Sequence, residues 1–210
     1  MTDMQLKQVQ ISLNAPIGQL GEVRKSHVLQ ALGAPFTIQP APIPGFAAYV
    51  DPLHRRSVML AEHQIIFIHE GENISPDLRD AERILVRTRD ALLLDDRFVA
   101  GIQWIAHHEA EGAATELSVE RFLRLSASEV RALFEEGLRG IGLRFTYESP
   151  PFTCDLRIEP FYADTAFFFI QFNAAHPQPL SLETILLRAA EFGEYVRDEA
   201  EEVLASLLQG

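Results

Sequence analysis

Between Ala166 and Phe172 the chain reads AFFFIQF. In a strand, alternate side chains point to opposite faces, so Phe167 and Phe169 lie on one side and Phe168, Ile170 and Phe172 on the other. Neither side suits water, and a sheet holding this strand is expected to need cover on both. Ile65 to Ile68 and the set Ile102, Trp104 and Ile105 make the same demand. Two other strands read as one-sided. Val9, Ile11 and Leu13 alternate with polar neighbours, and Ile141, Leu143, Phe145 and Tyr147 alternate with Gly142, Arg144 and Thr146. The second apolar face can be covered by the sheet of a sister half, by another copy of the chain, or by a ligand in a cavity. Contact with a sheet or subunit is the favoured expectation, because several uncovered Phe and Ile in one patch invite aggregation.

The order of elements supplies the sister half. A strand over 8–13 leads to a helix over about 19–32, closed by Gly33 and Pro35, and then to an extended stretch carrying Pro35, Pro40, Pro42 and Pro44. Short strands follow at 47–50, 57–62 and 64–69. Ser75 as N-cap and Pro76 at the first helical position then predict a helix with Leu78, Ala81, Leu85, Thr88 and Leu92 on one stripe. Residues 98–208 repeat the series. A strand over 99–107 is followed by a helical region over about 118–138, divided by a capping-box pattern at Ser126 and Glu129. Strands at 141–147, 154–159 and 165–172 come next, and a long helix starts at Ser181. The expected architecture is a duplicated α+β unit of strand, helix, strands, helix, with halves over 1–96 and 97–210, either as two parts or within one compact domain. The sheet is largely antiparallel with helices on one face. Tandem ferredoxin-like halves fit the order, and so do halves in which one helix crosses a curved antiparallel sheet.

Charge and targeting signals narrow the partners. Eighteen basic residues against thirty acidic ones give a net charge of −12, and only Lys7 and Lys25 among the bases are lysines. The arginines are interleaved with acids, as in DLRDAER over 77–83, the pattern of a solvated helix face. No nucleic-acid partner is expected on this basis, since backbone binding concentrates cations on one face. No apolar run approaches the ~20 residues that span a bilayer, and the N-terminus lacks a secretory pattern, so the expectation is a cytoplasmic chain with no membrane partner. Cys154 is the one cysteine and reads as a small core residue. The excess of acids on the last helix reads as a solubility feature.

Candidate chemistry is thin. Gln103 and Gln171, polar residues inside apolar strands, are the natural polar handles of a small-molecule site, with Trp104 and Phe168 as apolar lining. Arg55 and Arg56, after His54, form a compact cationic spot able to hold a carboxylate or phosphate. His107 and Glu109 share one side of a strand, and a neighbouring strand ending in His69 would complete a His, His, carboxylate set for zinc or non-haem iron. No Gly-x-Ser-x-Gly elbow, phosphate loop or HExxH pattern occurs, and the cofactor is unknown. The leading expectation is a non-catalytic, self-associating interaction domain, a homo-oligomer. A binding domain for a small apolar ligand between the halves is second, and a metal-assisted enzyme third.

Overall fold

A computed structural model describes residues 4–40, 45–123, 127–134 and 138–209. In chain order the elements are β1 (Gln5–Asn14), α1 (Glu22–Leu32), β2 (Thr37–Gln39), β3 (Ala47–Asp51), β4 (Arg56–Ala61), β5 (Gln64–Glu70), α2 (Arg79–Leu92), β6 (Phe98–Glu109), α3 (Ala114–Leu123), α4 (Ala127–Phe134), β7 (Leu143–Ser149), β8 (Phe152–Pro160), β9 (Phe167–Leu180) and α5 (Leu182–Gln209). The fold is α+β. Its strands join a single antiparallel sheet in the order β2-β3-β4-β5-β1-β6-β9-β8-β7. Short loops fold β3, β4 and β5 back on one another, the connection that antiparallel neighbours permit. In mid-sheet β1 pairs with β6, setting Val9 against Trp104 and Ile11 against Ile102.

Register gathers the apolar residues on one face. One row runs Tyr49, Val58, Phe67, Ile11, Ile102, Ala174, Cys154 and Tyr147 across eight strands, and all but the last are buried. The helices lie on this face. α5 crosses β1, β6 and β9, α2 touches α5, and α1 packs on α2. Burying each Leu, Ile or Phe here contributes about 1.5–3 kcal/mol, and polar ties fix the layers in place. The Trp104 indole N–H donates to the Ala189 carbonyl at 2.8 Å, and the Tyr49 hydroxyl donates to the Lys25 carbonyl at 3.1 Å.

Within the single chain one face of these strands is covered and the other is not. Phe168, Ile170 and Phe172 point into the core, whereas Phe167 and Phe169 lie on the other face, partly exposed. Ile65 and Phe67 are likewise buried while Ile66 and Ile68 face outward. The second half does not fold onto the first as a second layer; it extends the same sheet edgewise.

Several boundaries also differ. Part of the proline-rich stretch forms β2, three residues long at one end of the sheet. Helix α2 begins at Arg79 and not at Pro76, because the Ser75 hydroxyl caps a turn by accepting from the Asp77 amide, and Asp77 in turn accepts from the Arg79 amide. The region over 118–138 is two helices, α3 and α4, and the Ser126 half of the expected capping box lies outside the described residues. β9 runs on through Pro177 and Pro179 to Leu180. Helix α5 starts as expected, with the Ser181 hydroxyl accepting from the Thr184 amide.

Candidate functional site

The face of the sheet opposite the helices is the largest feature left for recognition. Its side chains follow from the register. One row reads Met59, Ile66, Ser12, Gly101, Ala175, Thr153, Glu148; the next reads Val50, Ser57, Ile68, Gln10, Gln103, Asn173, Asp155, Thr146. A third reads Glu70, Gln8, Ile105, Gln171, Arg157, Arg144. Arg144, Arg157, Asp155, Gln103, Gln171 and Asn173 concentrate charges and amides on the second half's strands, while the first half mixes Met59, Ile66, Ile68 and Val50 with Gln8, Gln10, Ser12, Ser57 and Glu70.

These polar groups are wired to one another. The Gln103 amide donates to Asn173 Oδ1 at 2.9 Å, and the Gln171 amide reaches the same oxygen at 3.4 Å. Arg144 holds Asp155 through two nitrogens, with Nε at 2.9 Å, and Arg157 Nε approaches the other carboxylate oxygen at 3.4 Å. These contacts keep the Asp155 carboxyl below the usual range, first through the hydrogen bond from Arg144. Small residues at Ser12, Gly101 and Ala175 leave a recess of about 410 Å³ beside this network, reaching to Arg144 and Thr146 on β7. Gly101 is what opens its floor, since a methyl there would meet only the Ser12 Cβ at 4.0 Å.

The residues singled out from sequence do not converge. Gln103 and Gln171 are on the open face as polar handles, but Trp104 and Phe168 point the opposite way and are wholly buried. No apolar ligand can touch those two without displacing the core. Arg56 is on β4, three strands from β6, and is itself buried: it bonds Asp51 at 2.8 Å and Asp80 at 2.7 Å. Arg55 beside it is exposed in a turn with φ of 53°. The cationic spot is thus half consumed in a structural ion pair. Burial opposes the Asp51 charge, yet hydrogen bonds from Arg56 and His54 prevail and hold its carboxyl below the ordinary range.

The proposed metal set is not assembled. His69 shares the helix-side face with Val9 and Arg56, whereas His107 lies on the open face, and β1 separates their strands. Among the described residues no three His, Cys, Asp or Glu side chains are grouped to hold a metal ion. His107 sits instead among aromatic rings, 4.5 Å from Phe161 and about 6 Å from Phe167 and Phe169 between centroids. Its burial there, with Lys7 adding to it, pushes its pKa down. Glu109 is on the same side as His107, as its spacing requires, at the exposed end of β6.

Asn173, Asp155, Arg144 and Gln10 were not legible as a site. Each is a single polar residue on an alternating strand, and only the register of four different strands places them together.

No family description and no curated protein matches the chain. Among solved structures, Methanococcus jannaschii TBP aligns over 99% of this chain and 99% of that one, at 12% identity and a TM-score of 0.43. The expectation of no nucleic-acid partner, which rested on charge alone, is withdrawn. No helix among the described residues is long and apolar enough to cross a membrane.

Proposed function

We propose that the chain is a non-catalytic, self-associating interaction module of the cytoplasm, built from two similar halves, 1–96 and 97–210, that share one sheet. Of the two half-types open from sequence, an antiparallel sheet crossed by a helix suits the observed pairing. A ferredoxin-like half threads a strand between the two parallel strands of its split βαβ crossover, whereas here β2, β3, β4 and β5 neighbour one another in chain order, with β1 beside β5. The observation that carries the functional reading is the uncovered sheet. Met59, Ile66, Ile68, Ile105 and Phe169 stay partly exposed beside a fixed polar network, a mixture typical of protein contacts.

The test is the mass of the untagged protein in solution, by native mass spectrometry and sedimentation at micromolar concentration. A dimer supports the reading. A monomer overturns it, and a monomer carrying extra mass would favour a second reading, a small-molecule binding domain. That reading has one observation behind it, the recess at Gly101 with the Gln103–Asn173 amides on its wall.

A further inference from the structure

The two ends of the sheet are unlike. At one end β2 has three residues. At the other, β7 has seven, pairs with β8 in unbroken register from Leu143 to Ser149, and leaves Arg144, Phe145, Thr146 and Glu148 exposed. A long, regular edge presents a row of unpaired backbone donors and acceptors. Proteins ordinarily blunt such edges with shortness, proline, bulges or inward charges. Within β7 there is no proline, bulge or inward charge, and Pro150 and Pro151 come only after it ends; its one guard is the exposed pair Arg144 and Glu148, which repels a strand of unlike charge order and not one that matches it.

The residues of β7 are also complementary to themselves. Its midpoint is Thr146. If a second copy lies antiparallel about that point, all seven residues overlap, Arg144 falls opposite Glu148 of the other copy, and Glu148 falls opposite Arg144. Thr146 meets Thr146 between these charge pairs on the open face. On the helix-side face Phe145 meets Tyr147. Opposite charges, threonine pairs and aromatic pairs are the cross-strand combinations that stabilise antiparallel neighbours. Phe145 is 37% exposed in the single chain, the large apolar residue of β7 that lacks cover. Tyr147 is already braced, its ring 5.9 Å from Tyr195 on α5. The Arg144 guanidinium holds Asp155 and is still largely open to solvent, so it can bridge Asp155 and an incoming carboxylate.

We infer that a second copy of this chain docks on β7, strand to strand and antiparallel about Thr146, with Arg144 and Glu148 exchanging ion pairs across the join. The inference rests on the self-association reading and moves its contact from the open face, which first suggested it, to the edge of the same sheet. Seven paired residues bury less than the 1,200–2,000 Å² of a standard interface, so the dimer should be of roughly micromolar strength.

Charge reversal tests it. R144E sets glutamate against Glu148 and E148R sets arginine against Arg144, so each variant alone should raise the dimer dissociation constant about tenfold or more. An equimolar mixture of the two should form a heterodimer in preference to either homodimer, because both facing pairs are then opposite in sign. The double variant R144E/E148R should dimerise as the original chain does. Circular dichroism on each variant confirms folding, and native mass spectrometry separates the species by mass. A monomeric original chain would sink the self-association reading itself. A dimer that both reversals leave intact would overturn the edge assignment alone, and I68D would then locate the contact on the open face.

Discussion

Replacing Gly193 with alanine should destabilise the protein, although a helix interior normally favours that change. Gly193 lies on α5 where the helix passes Trp104. A methyl built there would stand 2.6 Å from Cζ2 and 2.9 Å from Cε2 of the indole, and 2.9 Å from Cβ of Pro76. Trp104 cannot retreat: it is wholly buried, and its N–H is tied to the Ala189 carbonyl. Alanine gains about 1 kcal/mol over glycine in helix propensity, while overpacking a filled core costs about 1–3 kcal/mol. Three contacts under 3.0 Å, all on rigid rings, put the cost near the top of that range. The net is a loss of roughly 2 kcal/mol, which lowers the thermal midpoint by about 4–8 °C in a chain of this size. Urea unfolding followed by far-ultraviolet circular dichroism reads this directly. Equal or increased stability in G193A would refute the packing of α5 on Trp104.

Two further outcomes follow from buried groups. The Asp51 carboxyl is held below its unfolded value, so the stability it contributes is complete above about pH 4 and is lost as pH falls through the folded value. D51N removes that acid-sensitive component and leaves Arg56 with Asp80 alone. It should cost about 3 kcal/mol near neutrality and flatten the acid limb of stability against pH; an unchanged acid limb would show that Asp51 is not its source. Cys154 is buried, and burial pushes its thiol up to about 11. The native protein should therefore leave an aromatic disulfide reagent unreacted at pH 8 and consume one equivalent once unfolded. Immediate reaction of the native chain would contradict its place on the buried face of β8 between Phe152 and Leu156.

Much of the element order was readable because periodicity and punctuation are local. Val9, Ile11 and Leu13 share a face, Gly33 ends α1, and Ser181 begins α5, all from short-range signals. Which side of Phe167 to Phe172 faces the chain's own core was not readable, for an equally physical reason. An apolar residue at a partly exposed position is common, and the sequence carries no mark to separate it from one in the core. Phe169 and Phe168 look alike in the sequence, yet one sits with His107 and Phe161 on the open face and the other faces Phe122 under the helices. The metal set failed because a strand, β1, comes between β5 and β6 from the far end of the sequence. Arg56 looked like a ligand-binding cation because nothing local marks it as buried against Asp51 or as reaching Asp80, 24 residues away. Gln103 and Gln171 were found by the one signal that survives without register, a polar residue inside an apolar strand.

The inequality of the two sheet ends limits how far association can proceed. An edge that accepts strands at both ends can recruit copies without limit, the route to fibres. Here the β2 end offers three residues before Pro40 interrupts the backbone donors. Docking at β7 would use the long edge on each chain at once, and a symmetric contact of that kind closes on itself. Growth would then stop at two copies, and raising the concentration would fill the dimer without feeding a polymer.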